Sequence, residues 1–200
     1  MGEVLMRAAH STIVRESRDF CTSILDARGN TVAQAEGTPI QMNSLSAALD
    51  WIDAKYDVTT IRPGDAFIQN NPYENGQHLN DIILVLPVFD ASGTLIAFAG
   101  NIAHHIEVGG AVAGSNAGAK EIYQEGLILP SMRIDFEKDL YGGPVEQIIE
   151  ANVRCPDVVL GDLRAQVSSA LRGSARILEL VERFGETDLN AAMVQLQDYS

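Results

Sequence analysis

Two long apolar runs separated by a short turn constrain the fold of this chain more than any other feature. Residues 82–89 and 94–103 are almost entirely apolar, and only Asp90-Ala-Ser-Gly93 lies between them. Runs of this length on either side of a turn predict an antiparallel β-hairpin. Because the first run does not alternate apolar with polar residues, its strand is expected to be buried inside the protein.

The rest of the chain carries further strand and helix patterns. A second hairpin is predicted from residues 20–25 and 31–35, with Gly29 and Asn30 in its turn. Apolar residues at helical spacing predict helices at residues 2–16, 43–54, 145–153, 162–184 and 187–198. The predicted fold class is therefore α+β (mixed α/β), in which antiparallel hairpins carry the site, helices pack around them and the C-terminal part is helical.

The longest predicted helix defines the C-terminal part of the chain. It is expected to place one apolar stripe against the core, made of Leu163, Val167, Leu171, Ile177, Leu178 and Val181. Gly185 is a typical residue for the end of such a helix. We therefore expect residues 1–186 to form one domain and residues 187–200 to form a helical tail.

Composition excludes several classes of function. The chain has 200 residues with 14 Lys and Arg against 27 Asp and Glu, a formal net charge of −13, which disfavours nucleic-acid binding. No run of roughly 20 apolar residues is present, so no membrane span is expected. Cys21 and Cys155 are the only cysteines and do not form a Cys-x-x-Cys pair, which favours a reduced, cytoplasmic setting without disulfides.

Candidate metal ligands lie at one end of the apolar hairpin. A loop of turn-forming residues ends in His78 and Asp81, and the returning strand ends in His104-His105. Asp81 begins one strand where His104 closes its partner, so the hairpin brings these residues together. Imidazole and carboxylate groups in this arrangement can bind a divalent ion. The alternative, a loop histidine that only hydrogen-bonds a nearby carboxylate, stays open at this point.

Other titratable residues near this end allow more than one role. Adjacent residues of a strand point to opposite faces, so only one of His104 and His105 is expected to face the site, and the other to be structural. Glu107 is a further ligand, an orienting base or a solvated carboxylate. From the residues alone, Asp19 is most simply part of a surface charge cluster.

Several short segments, taken together and in order, resemble the hydantoinase B/oxoprolinase family, to which acetone and acetophenone carboxylase subunits are related. The resemblance covers residues 3 to about 186. It rests on Arg15-Glu16-Ser17-Arg18-Asp19-Phe20, Asn70-Asn71-Pro72-Tyr73, Gly76-Gln77-His78-Leu79-Asn80-Asp81, Ala103-His104-His105, Glu107-Val108-Gly109-Gly110, Gln124-Glu125-Gly126-Leu127, Asn152-Val153-Arg154 and Gly161-Asp162-Leu163-Arg164-Ala165-Gln166.

The resemblance implies a metal-dependent subunit of an ATP-dependent amidohydrolase. A partner subunit of the hydantoinase A type would use ATP to activate a cyclic amide such as hydantoin, 5-oxoproline or a related lactam, in a hetero-oligomer. The implied metal ligands are Asp19, His78, Asp81 and His104, holding zinc, manganese or iron, with Glu107 or His105 moving protons. The resemblance also implies that the chain corresponds to the N-terminal part of a longer subunit, without the opening turns of its first helix.

Two other functions stay open alongside this one. The same resemblance is compatible with a subunit of an ATP-dependent ketone carboxylase, or with an inactive fragment that acts only in assembly or binding. The sequence also departs from the family pattern at positions near the site without removing a proposed ligand. Gln41 stands where a histidine is common, and other departures are Asn71, Asn75, Gln77 and Asn80.

Overall fold

A six-stranded antiparallel sheet forms the centre of the computed structural model, which describes residues 1–35, 37–38, 41–74 and 76–199. Asn75 lies outside the described residues. The strand order is β2-β1-β5-β4-β3-β6. The strands are β1 (Phe20–Asp26), β2 (Thr31–Ala35), β3 (Asp65–Gln69), β4 (Asp81–Phe89), β5 (Leu95–His104) and β6 (Met132–Asp135).

Helices cover both faces of the sheet and confirm the predicted α+β class. They are α1 (Gly2–Ala8), α2 (Thr12–Arg15), α3 (Met42–Lys55), α4 (Phe136–Leu140), α5 (Pro144–Asn152), α6 (Pro156–Phe184) and α7 (Glu186–Tyr199). Ile83 and Val85 of β4 pack with residues of α3, whereas Ile82 and Leu84 pack with residues of α6. This burial on both faces explains why the strand is continuously apolar.

The register of the central hairpin sets the position of the candidate site. Asp81 at the start of β4 pairs with His104 at the end of β5, and Phe20 at the start of β1 pairs with Ala103. The start of β1, the start of β4 and the end of β5 therefore lie next to one another at the same end of the strands. The first residue of β4, the last of β5 and the residue before β1 are thus brought side by side.

The N-terminal segment differs from the single helix predicted for residues 2–16. It forms two helices, because the backbone N–H groups of His10 and Ser11 donate to the Asp162 carboxylate on α6 at 2.7 and 3.0 Å. The Ser11 hydroxyl accepts from the Val14 N–H and caps α2. A carboxylate 151 residues away in sequence thus ends the first helix, which no local pattern predicts.

The C-terminal helices also differ from prediction in one respect. Leu171 and Leu178 are exposed, whereas Gly173 and Ile177 of α6 are buried. A straight helix turns about 100° per residue, so the two leucines lie beside the buried stripe and not on it. Met193 of α7 is buried, and α7 packs against α6 and β2; the division into residues 1–186 and 187–200 stays a prediction.

Two elements near residue 135 were not predicted from sequence. Strand β6 pairs with β3 and extends the sheet, and α4 follows it directly, with Asp135 accepting from the Lys138 N–H. Both cysteines are free thiols. Among the described residues, no helix has the length and apolar character needed to cross a membrane.

Candidate metal centre

Asp81 and His104 form the centre of the site at the end of the apolar hairpin. The strand register places their side chains on the same face of the sheet, the face covered by α3. His104 Nδ1 lies 2.8 Å from Asp81 Oδ1, and the two side chains are 12% and 2% exposed. The hairpin therefore holds an imidazole against a buried carboxylate, because its register pairs Asp81 with His104.

His78 completes a three-residue group from the loop before β4. Its Nδ1 lies 3.6 Å from Asp81 Oδ2, and its backbone N–H donates to the same oxygen at 3.2 Å. The rings of His78 and His104 meet edge to face, with centroids 5.5 Å apart. One ligand atom from each of His78, Asp81 and His104 lies within 4.8 Å of the others. The His78 side chain is 57% exposed, so the group opens to solvent on that side.

Asp19 is connected to this group by the side chain of Gln41. The Asp19 carboxylate accepts from the Thr38 hydroxyl at 2.7 Å and from Gln41 Nε2 at 3.0 Å. The same Gln41 nitrogen donates to Asp81 Oδ1 at 3.2 Å. The His104 N–H donates to the Asp19 carbonyl at 2.9 Å, which fixes the end of β5 against the residue before β1.

The donor set of these four residues is suited to a divalent cation. Asp19 is half-buried and Asp81 buried, and in the described part of the chain neither forms an ion pair with a Lys or Arg side chain. Two carboxylates brought together in this way favour a cation between them. Two imidazoles and two carboxylates form a mixed nitrogen and oxygen set that zinc, manganese and iron accept. The residues present therefore fit the divalent metal that the family resemblance implies.

Charges around His104 favour its protonated form when no metal is bound. Burial by itself lowers the pKa of His104, but its hydrogen bond with Asp81 and the negative charges of Asp81 and Asp19 outweigh that effect. The pKa of His104 therefore lies above its usual value. Since a metal binds only the neutral imidazole, the ion and a proton compete for this side chain.

This competition predicts weaker metal binding in acid. We expect the affinity for zinc or manganese to fall at least roughly tenfold per pH unit below the raised pKa of His104, because binding must release a proton there. Calorimetric titrations at pH 6 and pH 8, repeated in buffers of different ionisation enthalpy, measure both the affinity and the protons released. Affinity that does not change between these pH values would contradict the assignment.

The structure places His105 away from the group. Its ring points to the opposite face of the sheet, is fully buried and pairs through Nε2 with Gln166 Oε1 of α6 at 2.9 Å. Its N–H donates to the Asn80 carbonyl, and its own carbonyl accepts from Asn80 Nδ2. Burial lowers the pKa of His105 and so favours the neutral ring. These contacts favour a structural role that anchors the hairpin end to α6 over the predicted proton transfer.

Glu107 is bound by backbone N–H groups and by the side chain of Arg154, whose Nη1 lies 3.3 Å from Glu107 Oε2, and not by the group. Its buried carboxylate accepts from the N–H groups of Gly109 at 2.8 Å, Cys155 at 3.1 Å and Arg154. Burial alone raises the pKa of Glu107, but these hydrogen bonds outweigh it and the pKa lies below its usual value. The carboxylate therefore joins the turn after β5 to the start of α6, an arrangement that favours a structural role over proton transfer.

Three contact residues of the site were missed by sequence reasoning. Thr38 and Gln41 bind Asp19, and the Ser115 hydroxyl lies 3.2 Å from His104 Nε2. In the sequence, Gln41 stands out only as a departure from the family pattern. Ser115 lies in a segment rich in glycine, alanine and serine, residues 109–119, a composition that is compatible with a ligand-binding loop, and no sequence signal indicates Thr38.

Comparisons with known proteins find similarity to one family of proteins. A family model described as hydantoinase B/oxoprolinase matches residues 1–200. A putative D-/L-hydantoinase B-type subunit from Pseudomonas sp. strain NS671 is 31% identical over all of this chain and 34% of its own length. The solved ATP-dependent caprolactamase from Pseudomonas jessenii matches with a TM-score of 0.80 and 29% identity, over 98% of this chain and 35% of its own.

A second solved structure shares the fold. Nucleotide-free acetone carboxylase matches with a TM-score of 0.84 but only 20% identity, over 96% of this chain and 25% of its own, so that likeness concerns the fold alone. The present chain spans about a third or less of the length of these three proteins.

Proposed function

Because this chain belongs to the hydantoinase B/oxoprolinase family, we propose that it is the metal-bearing part of an ATP-dependent amidohydrolase that opens a cyclic amide. The observation that carries the proposal is the group of His78, Asp81 and His104, whose ligand atoms lie within 4.8 Å of one another. Asp19 is the fourth proposed ligand, since Gln41 joins its carboxylate to that of Asp81.

The residues around the group support distinct tasks. A divalent ion held by these residues would supply a water of lowered pKa and a Lewis acid for a carbonyl oxygen. Asp81 and His104 would hold the ion on the buried side, and the Thr38 hydroxyl orients the Asp19 carboxylate. His78 lies on the side that is open to solvent, so an incoming cyclic amide meets the group from there.

A partner subunit is part of the proposal. The sequence contains neither a P-loop of the form G-x-x-x-x-G-K-[ST] nor a G-x-G-x-x-G motif after a strand. We infer that ATP is used by a partner of the hydantoinase A type, in a hetero-oligomer in the cytoplasm, and that hydantoin, 5-oxoproline or a related lactam is the substrate. The similarity to a putative B-type hydantoinase subunit and to an ATP-dependent caprolactamase supports this choice.

An assay of the reconstituted pair tests the proposal. With an A-type subunit, ATP and a divalent ion present, we expect ring-opened product from a cyclic amide. Replacing His78 with alanine is expected to lower the rate by at least about 10–100-fold, the effect seen when even an indirect partner of a metal site is lost. Product formation is followed by chromatography, and circular dichroism confirms that the variant is folded.

The assay distinguishes hydrolysis from carboxylation and from a role in assembly or binding alone. Turnover of a ketone that requires bicarbonate, without opening of any cyclic amide, would replace hydrolysis by carboxylation. A pair that binds its partner but turns over neither substrate class, with the His78→Ala variant indistinguishable from wild type, would leave only a role in assembly or binding.

A further inference from the structure

Gln41 links two of the carboxylates of the proposed metal centre. Its side chain is 1% exposed, at the residue before α3 begins. Nε2 donates to Asp19 Oδ1 at 3.0 Å and to Asp81 Oδ1 at 3.2 Å, so one amide group joins the acidic residue before β1 to the one that begins β4. A neutral N–H donor thus lies within hydrogen-bond distance of both carboxylates.

The other atom of the same amide has no partner. Gln41 Oε1 is buried and accepts no hydrogen bond from any residue that the structure describes. Buried polar atoms are almost always paired, and an unpaired acceptor is costly, so an oxygen in this position calls for a donor or a cation. Oε1 and Nε2 share one carbon, and a rotation about the bond to that carbon exchanges their positions.

Charge decides which of the two orientations is favoured. Without a cation, turning Oε1 towards the carboxylates would bring three oxygen atoms together, and Nε2 is preferred there. With a divalent ion bound by Asp19 and Asp81, the preference reverses, because an amide oxygen is attracted to the ion and Nε2 is repelled. The group is open at His78, which is 57% exposed, and closed at Gln41.

We propose that the side-chain oxygen of Gln41 is an additional, neutral oxygen ligand of the ion, on the closed side of the site. This inference rests on the proposed metal centre. Amide oxygens are good ligands for hard cations such as manganese and weaker ones for soft ions. The proposal therefore assigns Gln41 a part in the choice of metal.

Metal titration of two variants tests this assignment. Gln41→Met keeps the size of the side chain but removes both polar atoms, and we expect its dissociation constant for Mn²⁺ to rise at least about 10-fold, the low end for loss of a metal-site contact. Gln41→Glu offers an oxygen but has no N–H, and we expect it to bind Mn²⁺ at least as tightly as wild type. Isothermal titration at pH 8 measures both constants, with thermal unfolding as a check on folding.

A matched substitution controls for the loss of a buried amide. Gln69 is also fully buried, but its Nε2 donates to the Glu74 carbonyl and not to the group. Gln69→Met is therefore expected to change Mn²⁺ affinity less than twofold.

The outcomes separate this inference from the proposed metal centre. If Gln41→Met binds Mn²⁺ as tightly as wild type, Gln41 is not a ligand. If Gln41→Glu loses as much affinity as Gln41→Met, Gln41 acts only through its N–H bonds to the carboxylates, which also overturns the assignment. Wild-type chain that binds no divalent ion would instead overturn the metal centre itself.

Discussion

Replacing Asp81 with asparagine is expected to lower the affinity of the chain for its divalent ion by more than about 100-fold, since losing even an indirect contact of a metal site costs 10–100-fold. Asp81 contacts both histidines of the group: Oδ1 pairs with His104, and Oδ2 lies 3.6 Å from His78 Nδ1 and accepts from the His78 backbone N–H. Asparagine keeps the shape and one oxygen but removes the charge. Isothermal titration with Zn²⁺ and Mn²⁺ measures the change.

A second asparagine variant separates this effect from a general change of charge. Asp53 is an exposed residue of α3, which covers the same face of the sheet, so Asp53→Asn removes one negative charge without touching the group. Its metal affinity is expected to stay within twofold of wild type. An Asp81→Asn variant that is folded and binds the ion as tightly as wild type would refute the role of Asp81.

Replacing Glu107 with alanine is expected to lower the free energy of unfolding by about 3 kcal/mol or more, because three backbone N–H groups lose their acceptor and each costs about 1–3 kcal/mol when buried without a partner. The groups belong to Gly109, Arg154 and Cys155, so the loss loosens the connection between the turn after β5 and α6. Urea denaturation followed by circular dichroism gives the change directly.

The conservative Glu107→Gln variant shows whether Glu107 is structural. It retains an acceptor oxygen and is expected to lose less stability than Glu107→Ala, while its metal affinity stays close to that of wild type. Because the pKa of Glu107 is lowered on folding, its contribution to stability is present at neutral pH and is lost as the pH falls through that lowered value. Glu107→Ala as stable as wild type would show that these hydrogen bonds contribute nothing.

The part of the candidate site that depends on the hairpin and on strand alternation can be predicted from the sequence. Two apolar runs and one turn place Asp81 opposite His104, and strand alternation separates His104 from His105. The choice of His104 came from family resemblance alone, and the structure places this side chain, and not His105, against Asp81. The assignment of Asp81 and His104 to a metal site stays a prediction.

Contacts between distant parts of the chain explain what the sequence could not predict. The break between α1 and α2 depends on Asp162, and the surroundings of Glu107 depend on residues 154 and 155. No periodicity within either segment carries information about those partners. The bridge formed by Gln41 likewise joins carboxylates 22 and 40 residues away from it.

The proposed hydrolysis and the proposed role of Gln41 both require one divalent ion at the end of the apolar hairpin. Crystals of the chain grown with Mn²⁺ and measured by anomalous diffraction test this requirement most directly. We expect one anomalous peak per chain, within about 2.0–2.3 Å of ligand atoms from His78, Asp81 and His104. A map with no peak there, or with its only peak elsewhere on the acidic surface, would contradict it.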